Sequence, residues 1–209
     1  LMAEPVFQST YGWQPTEDDS WKSYFLPDVI EKIGIGKKYP PYSHQASSWK
    51  TLLNKDEMQS IVVTSGTGSG KTECFMYPVI NDIVEQNNPD AVQAIFLYPL
   101  NALMADQCDR LGELCDKFDG VKFAVYNGNT KERIVAGTPR KAGEHASQLR
   151  ARNEIRQTPP QILLSNPSML EYMLVRGSDQ TIMEKSRGKL RWIVIDEAHS
   201  YSGSSAVEL

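Results

Sequence analysis

The stretch VVTSGTGSGKTECF, Val62 to Phe75, alternates Gly66, Gly68 and Gly70 with Ser65, Thr67 and Ser69, then presents Lys71, Thr72 and a helix-forming run. Glycine lacks a Cβ, so a turn of this kind lets the backbone come close to whatever it binds. Set between a strand and a helix, it gathers several N–H groups in a concave nest at the positive end of the helix, and that arrangement holds a polyphosphate. Lys71 would reach the β- and γ-phosphates as a point charge, and the Thr72 hydroxyl would be a ligand for Mg²⁺. The strict pattern G-x-x-x-x-G-K-[ST] asks for glycine where this chain has Ser65, so the match is to a relaxed variant. Such a loop works with carboxylates, and RWIVIDEAHSY supplies them on an apolar strand that ends in Asp196 and Glu197. One carboxylate holds the magnesium, and the other positions and deprotonates a water for in-line attack on the γ-phosphate. His199, two residues on, reads by itself as an ordinary polar residue.

These residues need elements to hold them. Short apolar runs rich in β-branched residues occur at 60–64, 94–98, 122–126, 161–165 and 192–196, each too short for a helix and reading as a buried strand. Segments with helical spacing lie between them, over 72–85, 102–118, roughly 140–156 and 167–176. The alternation predicts right-handed βαβ crossovers, and so an α/β fold with a mostly parallel central sheet and helices on both faces. Pro78 falls inside the first helix and is expected to kink it, because it removes an amide donor. Residues 1–40 are polar and aromatic, with one short helix in LPDVIEKIGIG closed by glycine; they read as an N-terminal arm on a main domain over 41–209.

The chain has 209 residues, 40% hydrophobic and 23% charged, which suits one sizeable core. No stretch reaches the roughly 18 to 20 apolar residues of a membrane span, and the first residues lack the pattern of a signal peptide, so no membrane partner and a cytoplasmic location are expected. Cys74, Cys108 and Cys115 are an odd count without metal-ligand spacing, and are expected to be reduced thiols on buried helix faces. The formal net charge is −4, which argues against a surface that grips nucleic acid everywhere. Between Lys131 and Arg156, however, seven Lys or Arg stand against three Glu. A solvated helix face is the first reading of that run, and a grip on phosphates the alternative.

With these motifs in hand, the chain resembles the superfamily 2 DEAD/DEAH-box helicases, over nearly its whole length from about Leu26 onward. TSGTGSGKT and DEAH are similar to motifs I and II of that superfamily. YSHQ looks like the Q-motif, with Gln45 twenty residues before Ser65. YPLNALMADQ resembles motif Ia, YNGNT the next, glycine-containing element, and LLSNPSMLEYML motifs Ib and Ic. SNPSMLEYMLVR together with IDEAHSYSG looks most like bacterial DEAH-type DNA helicases related to the MrfA repair helicase, many of which carry a C-terminal zinc-binding module. One departure is Asn101, where motif Ia commonly presents a basic residue.

The resemblance implies a first RecA-like domain that binds ATP and Mg²⁺ and couples hydrolysis to movement along, or unwinding of, nucleic acid. The implied strand is single-stranded DNA, or a DNA duplex with a single-stranded tail. Gln45 would read the adenine edge with Tyr42 near the base, and Ser65, Gly66, Thr67, Gly68, Ser69, Gly70, Lys71 and Thr72 would hold the phosphates. Thr72 and Asp196 would hold Mg²⁺, Glu197 would be the general base, and His199 would couple hydrolysis to a partner domain. Pro99, Leu100, Asn101, Gly128, Ser165, Asn166 and Pro167 would line the strand's track, touching backbone more than bases. For Pro99 and Pro167, strand termination alone stays open as a reading. The chain ends thirteen residues after Asp196, without motif III, so a second RecA-like domain supplying arginine fingers is expected from the rest of a longer protein. The resemblance fits DNA repair and anti-phage defence alike. The alternatives are a nucleotide-dependent module that clamps or remodels nucleic acid without unwinding, an RNA rather than a DNA helicase, and, further off, a small-molecule kinase.

Overall fold

In the computed structural model, which describes residues 12–201 apart from 58, 67, 100, 136 and 142 and only the backbone of 101–103, the chain divides into two compact units, Leu1–Pro78 and Val79–Leu209.

In the first unit, a 3-10 turn Ser20–Tyr24 leads to α1 (Pro27–Ile33) and α2 (Ser43–Leu52). Pro27 opens α1, where its missing N–H costs nothing, and Gly34 closes it at φ 82°, donating to the Ile30 carbonyl. This is the glycine-closed helix that the sequence predicts. The core is aromatic: Trp21, Phe25 and Trp49 meet edge to face, with centroids 5.6 Å apart for Trp21–Trp49 and 5.2 Å for Phe25–Trp49. Gly36 is required beside them, because at φ 73° an added Cβ would lie 3.0 Å from the Trp21 ring. The run 60–64 differs from its predicted strand. It makes no ladder with any described residue, and Val62 is 89% exposed. Without a neighbour to hydrogen-bond its backbone, an extended run does not become part of a sheet, however β-branched it is.

Helix α3 (Lys71–Gln86) runs unbroken through Pro78, where the two units divide. The second unit holds a five-stranded parallel sheet of β1 (Ala94–Leu97), β2 (Phe123–Val125), β3 (Gln148–Leu149), β4 (Ile162–Ser165) and β5 (Trp192–Ile195), in the order β3-β2-β4-β1-β5. Four of the five predicted strands are present, shortened by a residue or two. Helices α4 (Asn101–Cys115), α5 (Arg152–Gln157), α6 (Pro167–Val175) and α7 (Gln180–Ser186) lie in the connections. Leu97 pairs with both Ser165 and Ile195, so the strands end level, and the residues just after each of them fall on one sheet edge. In a parallel sheet, that carboxyl edge is where ligands bind.

The helix predicted over 140–156 is replaced by an irregular segment, then β3, then α5. Gly143, at φ 85°, interrupts it just after Pro139, and the arginines there bond to carbonyls across the loop, Arg140 to those of Ala146 and Gln148 and Arg150 to those of Thr138 and Pro139. The returning limb is latched to α4. The Asp116 carboxylate receives the Ser147 N–H at 2.8 Å and faces His145 Nδ1 at 3.1 Å, and the ring lies where a Cβ on Gly112 would be.

Asp82, buried on α3, accepts a two-pronged bond from Arg191 at 2.7 and 3.0 Å and a third from the Trp192 indole at 2.6 Å. It thereby ties the second half of α3 to the start of β5. Asp82→Ala is expected to cost about 2–3 kcal/mol, since it leaves the indole N–H unpaired; the 3–5 kcal/mol of a fully buried pair does not apply because Arg191 still reaches water. Urea unfolding of variant and parent checks it.

Candidate functional site

In the first unit, α2 fastens onto the glycine-rich loop one residue after another. The imidazole Nε2 of His44 bonds the Ser69 carbonyl at 2.9 Å, the Gln45 amide donates to the Gly70 carbonyl at 3.1 Å, and the Trp49 indole donates to the Glu73 carbonyl at 2.9 Å. Gln45 is buried, and its other end accepts from the Tyr42 N–H at 2.9 Å, so the amide joins the start of α2 to the loop. Tyr42 stacks on His44 at 5.7 Å, and Trp13 meets the same imidazole edge-on at 5.8 Å. A Cβ on Gly66 would stand 3.6 Å from the Trp13 ring. His44, Trp13 and Trp49 were not singled out from sequence; the signal available for His44 was its place inside YSHQ.

The loop has the backbone its glycines allow, with Gly68 at φ 74° and Gly70 at φ 73°. At Gly70 an added Cβ would be 2.4 Å from the Gln45 amide nitrogen. The Lys71 ammonium donates to the carbonyls of Ser65 and Gly66, at 2.8 and 2.9 Å. The hydroxyls of Ser65 and buried Ser69 bond across the loop. Ser65 therefore supplies a brace that glycine at that position could not. Thr72 follows on the first turn of α3, and Thr67 lies outside the described residues.

In the second unit, Asp196 and Glu197 stand just past β5. The Asp196 carboxylate accepts from the Glu197 N–H at 2.8 Å. Glu197 adopts φ 49° and ψ 43°, the left-handed region that a glutamate enters at a cost of about 1–3 kcal/mol and that clusters at functional sites. Its carboxylate faces His199 Nδ1 at 3.2 Å. Burial, with the Asp196 charge adding to it, raises the phenols of Tyr98 and Tyr201 above the usual tyrosine range. The Tyr98 hydroxyl is wholly buried, with no hydrogen-bond partner among the described residues. Among those residues no cluster of three or more His, Cys, Asp or Glu could hold a metal ion. The three thiols are free, and burial pushes those of Cys74 and Cys108 up to about 11. No helix among the described residues is long and apolar enough to cross a membrane.

The suggested strand track runs along the same sheet edge. Pro99 comes just after β1, and Asn101 opens α4 with its side chain, like all of Leu100, outside the described residues. Asn166 caps α6, accepting from the Met169 N–H at 2.8 Å, and Pro167 is its first residue. Ser165 is wholly buried, and its hydroxyl donates to the Tyr126 carbonyl at 2.7 Å, so it ties β4 to β2. Gly128 is exposed in the turn after β2.

The chain as a whole is similar to known proteins. The DEAD/DEAH box helicase family model matches residues 42–208. Druantia protein DruE of Escherichia coli (strain UMEA 4076-1) is 25% identical, over 100% of this chain and 16% of that protein. The uncharacterized ATP-dependent helicase YprA of Bacillus subtilis (strain 168) is 29% identical, over 94% of this chain and 24% of that one. Among solved structures, the DUF1998 helicase MrfA bound to DNA and AMPPNP is similar with a TM-score of 0.66 and 25% identity, over 92% of this chain and 23% of that chain. The chain thus spans between 16% and 24% of the length of these relatives. The match begins at Tyr42, just before α2, and runs past the Asp-Glu-Ala-His segment that follows β5: the chain belongs to the DEAD/DEAH box helicase family.

Proposed function

We propose that this chain is the ATP-binding motor domain of a DNA helicase or translocase, in which ATP hydrolysis drives movement along or unwinding of a strand. What carries this is the phosphate loop, whose left-handed Gly68 and Gly70 can turn successive N–H groups toward one anion while α2 holds the carbonyls of Ser69 and Gly70 back. In this role Lys71 exchanges its two carbonyl partners for phosphate oxygens. Gln45 meets adenine by giving up one of its two bonds, with Tyr42 alongside. The Thr72 hydroxyl and the Asp196 carboxylate are hard oxygen donors of the kind Mg²⁺ takes, usually one or two carboxylates with substrate phosphates. When bound, the ion would offset phosphate charge. Glu197 takes the proton of the attacking water, and His199, which meets its carboxylate, couples hydrolysis to the partner domain. Pro99, Asn101, Gly128, Asn166 and Pro167 lie along the strand, with Ser165 bracing that edge. DNA is favoured over RNA because the similar MrfA structure holds DNA. Residues 1–40 act as an arm on a motor domain over 41–209, which works with a second RecA-like domain.

Lys71→Ala is expected to weaken ATP·Mg²⁺ binding by about 1.5–3 kcal/mol, roughly ten- to a hundredfold, through loss of a charge-assisted contact. Titration calorimetry reads it, and equal affinities would reject the phosphate role. Strand separation of a tailed DNA duplex by this chain joined to its second RecA-like domain, with and without ATP, tests the rest. Binding without ATP-dependent separation would mean a clamp, not a helicase.

A further inference from the structure

The basic run between Lys131 and Arg156 is divided by the structure into two kinds of residue. Arg140, Arg150, Arg152 and Arg156 donate into their own chain. Arg152, on α5, holds the carbonyls of Asn127 at 2.8 Å and Thr130 at 3.1 Å and lies over the Tyr126 ring. Arg156 joins the Glu132 carboxylate to wholly buried Asp179 and to the Tyr126 hydroxyl. Backbone bonds finish the fixing: the N–H groups of Arg152 and Asn153 donate to the carbonyls of Lys131 and Glu132. Lys131 and Arg133 are exposed on either side of Glu132, which shares Arg156 with Asp179; Lys141, also exposed, lies further along the loop.

Their position is set by the register. Ala124 pairs with Leu149, so Ala151 stands level with Tyr126, and Lys131 bridges to Ala151 in parallel. The Tyr126 N–H in turn bonds the Leu164 carbonyl, next to Ser165 and Asn166. Lys131 therefore sits on the carboxyl edge of the sheet, in line with the turn at Gly128 and the start of α6. Gly128 is not needed by the fold, since an added Cβ would meet nothing within 4 Å and its backbone is outside the left-handed region. What glycine offers there is an open backbone that a ligand can approach.

We propose that Lys131 and Arg133, beside Gly128, form a contact for the phosphodiester backbone of a nucleic-acid strand, additional to the residues of the helicase motifs. The proposal rests on the nucleic-acid reading above. A backbone already fixed at Lys131 and Glu132 suits the role, because less of the chain has to be ordered on binding. The contact positions a strand and reads no sequence.

The test uses the 209-residue chain and a fluorescein-labelled oligothymidine strand, with anisotropy monitored over a salt series. Lys131→Ala with Arg133→Ala is expected to weaken binding at least tenfold at low salt, and to reduce the logarithmic salt slope by about 1.4, two phosphates at about 0.7 each. Lys117→Ala with Lys122→Ala removes the same charge just before β2, at the opposite edge, and is expected to leave the slope unchanged. Fluorescent-ATP titration and circular dichroism should match the parent in both, and Arg133→Glu alone replaces the first pair if it does not fold. Equal losses in the two pairs would reduce the effect to bulk charge and overturn the proposal. An unchanged first pair in a parent that binds would overturn it too, and leave the nucleic-acid reading standing. A parent that binds no strand at any salt would overturn both.

Discussion

Glu197→Gln is expected to lower ATP turnover by about 10²- to 10⁴-fold, the usual contribution of a positioned base, while ATP remains bound. Glutamine keeps the size of the side chain and can still meet His199, which faces the carboxylate at 3.2 Å, but it cannot take a proton from water. Phosphate release and nucleotide titration, measured together on a length of chain that hydrolyses ATP, check both halves; parent-like turnover would place the base elsewhere. The backbone supplies a control. Because Glu197 sits at φ 49°, Glu197→Gly should remove the base and relax the left-handed strain together, giving an inactive chain that is more stable by about 1 kcal/mol. An inactive but stabilised glycine variant separates loss of chemistry from loss of fold.

Trp49→Ala is expected to cost about 3–5 kcal/mol, as large-to-small changes of a wholly buried tryptophan do. It would remove the ring against which Trp21 and Phe25 pack, together with the donor to the Glu73 carbonyl. The effect should reach nucleotide binding, because Trp49 shares α2 with His44 and Gln45, which hold the loop. Trp49→Phe keeps a ring and loses the hydrogen bond, so about 1–2 kcal/mol is expected. Urea midpoints of the two variants, compared with their ATP affinities, check the link. An alanine variant with parent-like ATP affinity would show that α2 does not need its seat to hold the loop.

The strands β1, β2, β4 and β5 were legible because buried parallel strands are continuous apolar runs, and 94–98, 122–126, 161–165 and 192–196 are such runs. The run 60–64 has the same composition but no ladder partner among the described residues, and composition does not report partners. The failure over 140–156 has another cause. Its arginines looked like a solvated helix face, but the carbonyls they bond lie six to twenty-five residues away in sequence, a contact that no helical period encodes. The glycine-rich turn before α3 and the place of the Asp-Glu pair just past β5 were readable from residue type and spacing. The grip of α2 on that loop was not, since His44 and Trp49 find their carbonyls 25 and 24 residues further on, across an intervening loop.

The hydroxyl brace across the phosphate loop bears on how such loops are inherited. Ser69 is 1% exposed, so replacing Ser65 alone by glycine would strand a hidden hydroxyl, at a cost of about 1–3 kcal/mol. Replacing Ser69 alone takes away the partner of the half-buried Ser65 hydroxyl, at a smaller cost. Neither single step is neutral, so the two positions are expected to drift in company, and a lineage that acquires serine at one is under pressure to keep it at the other. A pattern that scores each position separately counts Ser65 as a fault, when what the loop's geometry joins is the pair.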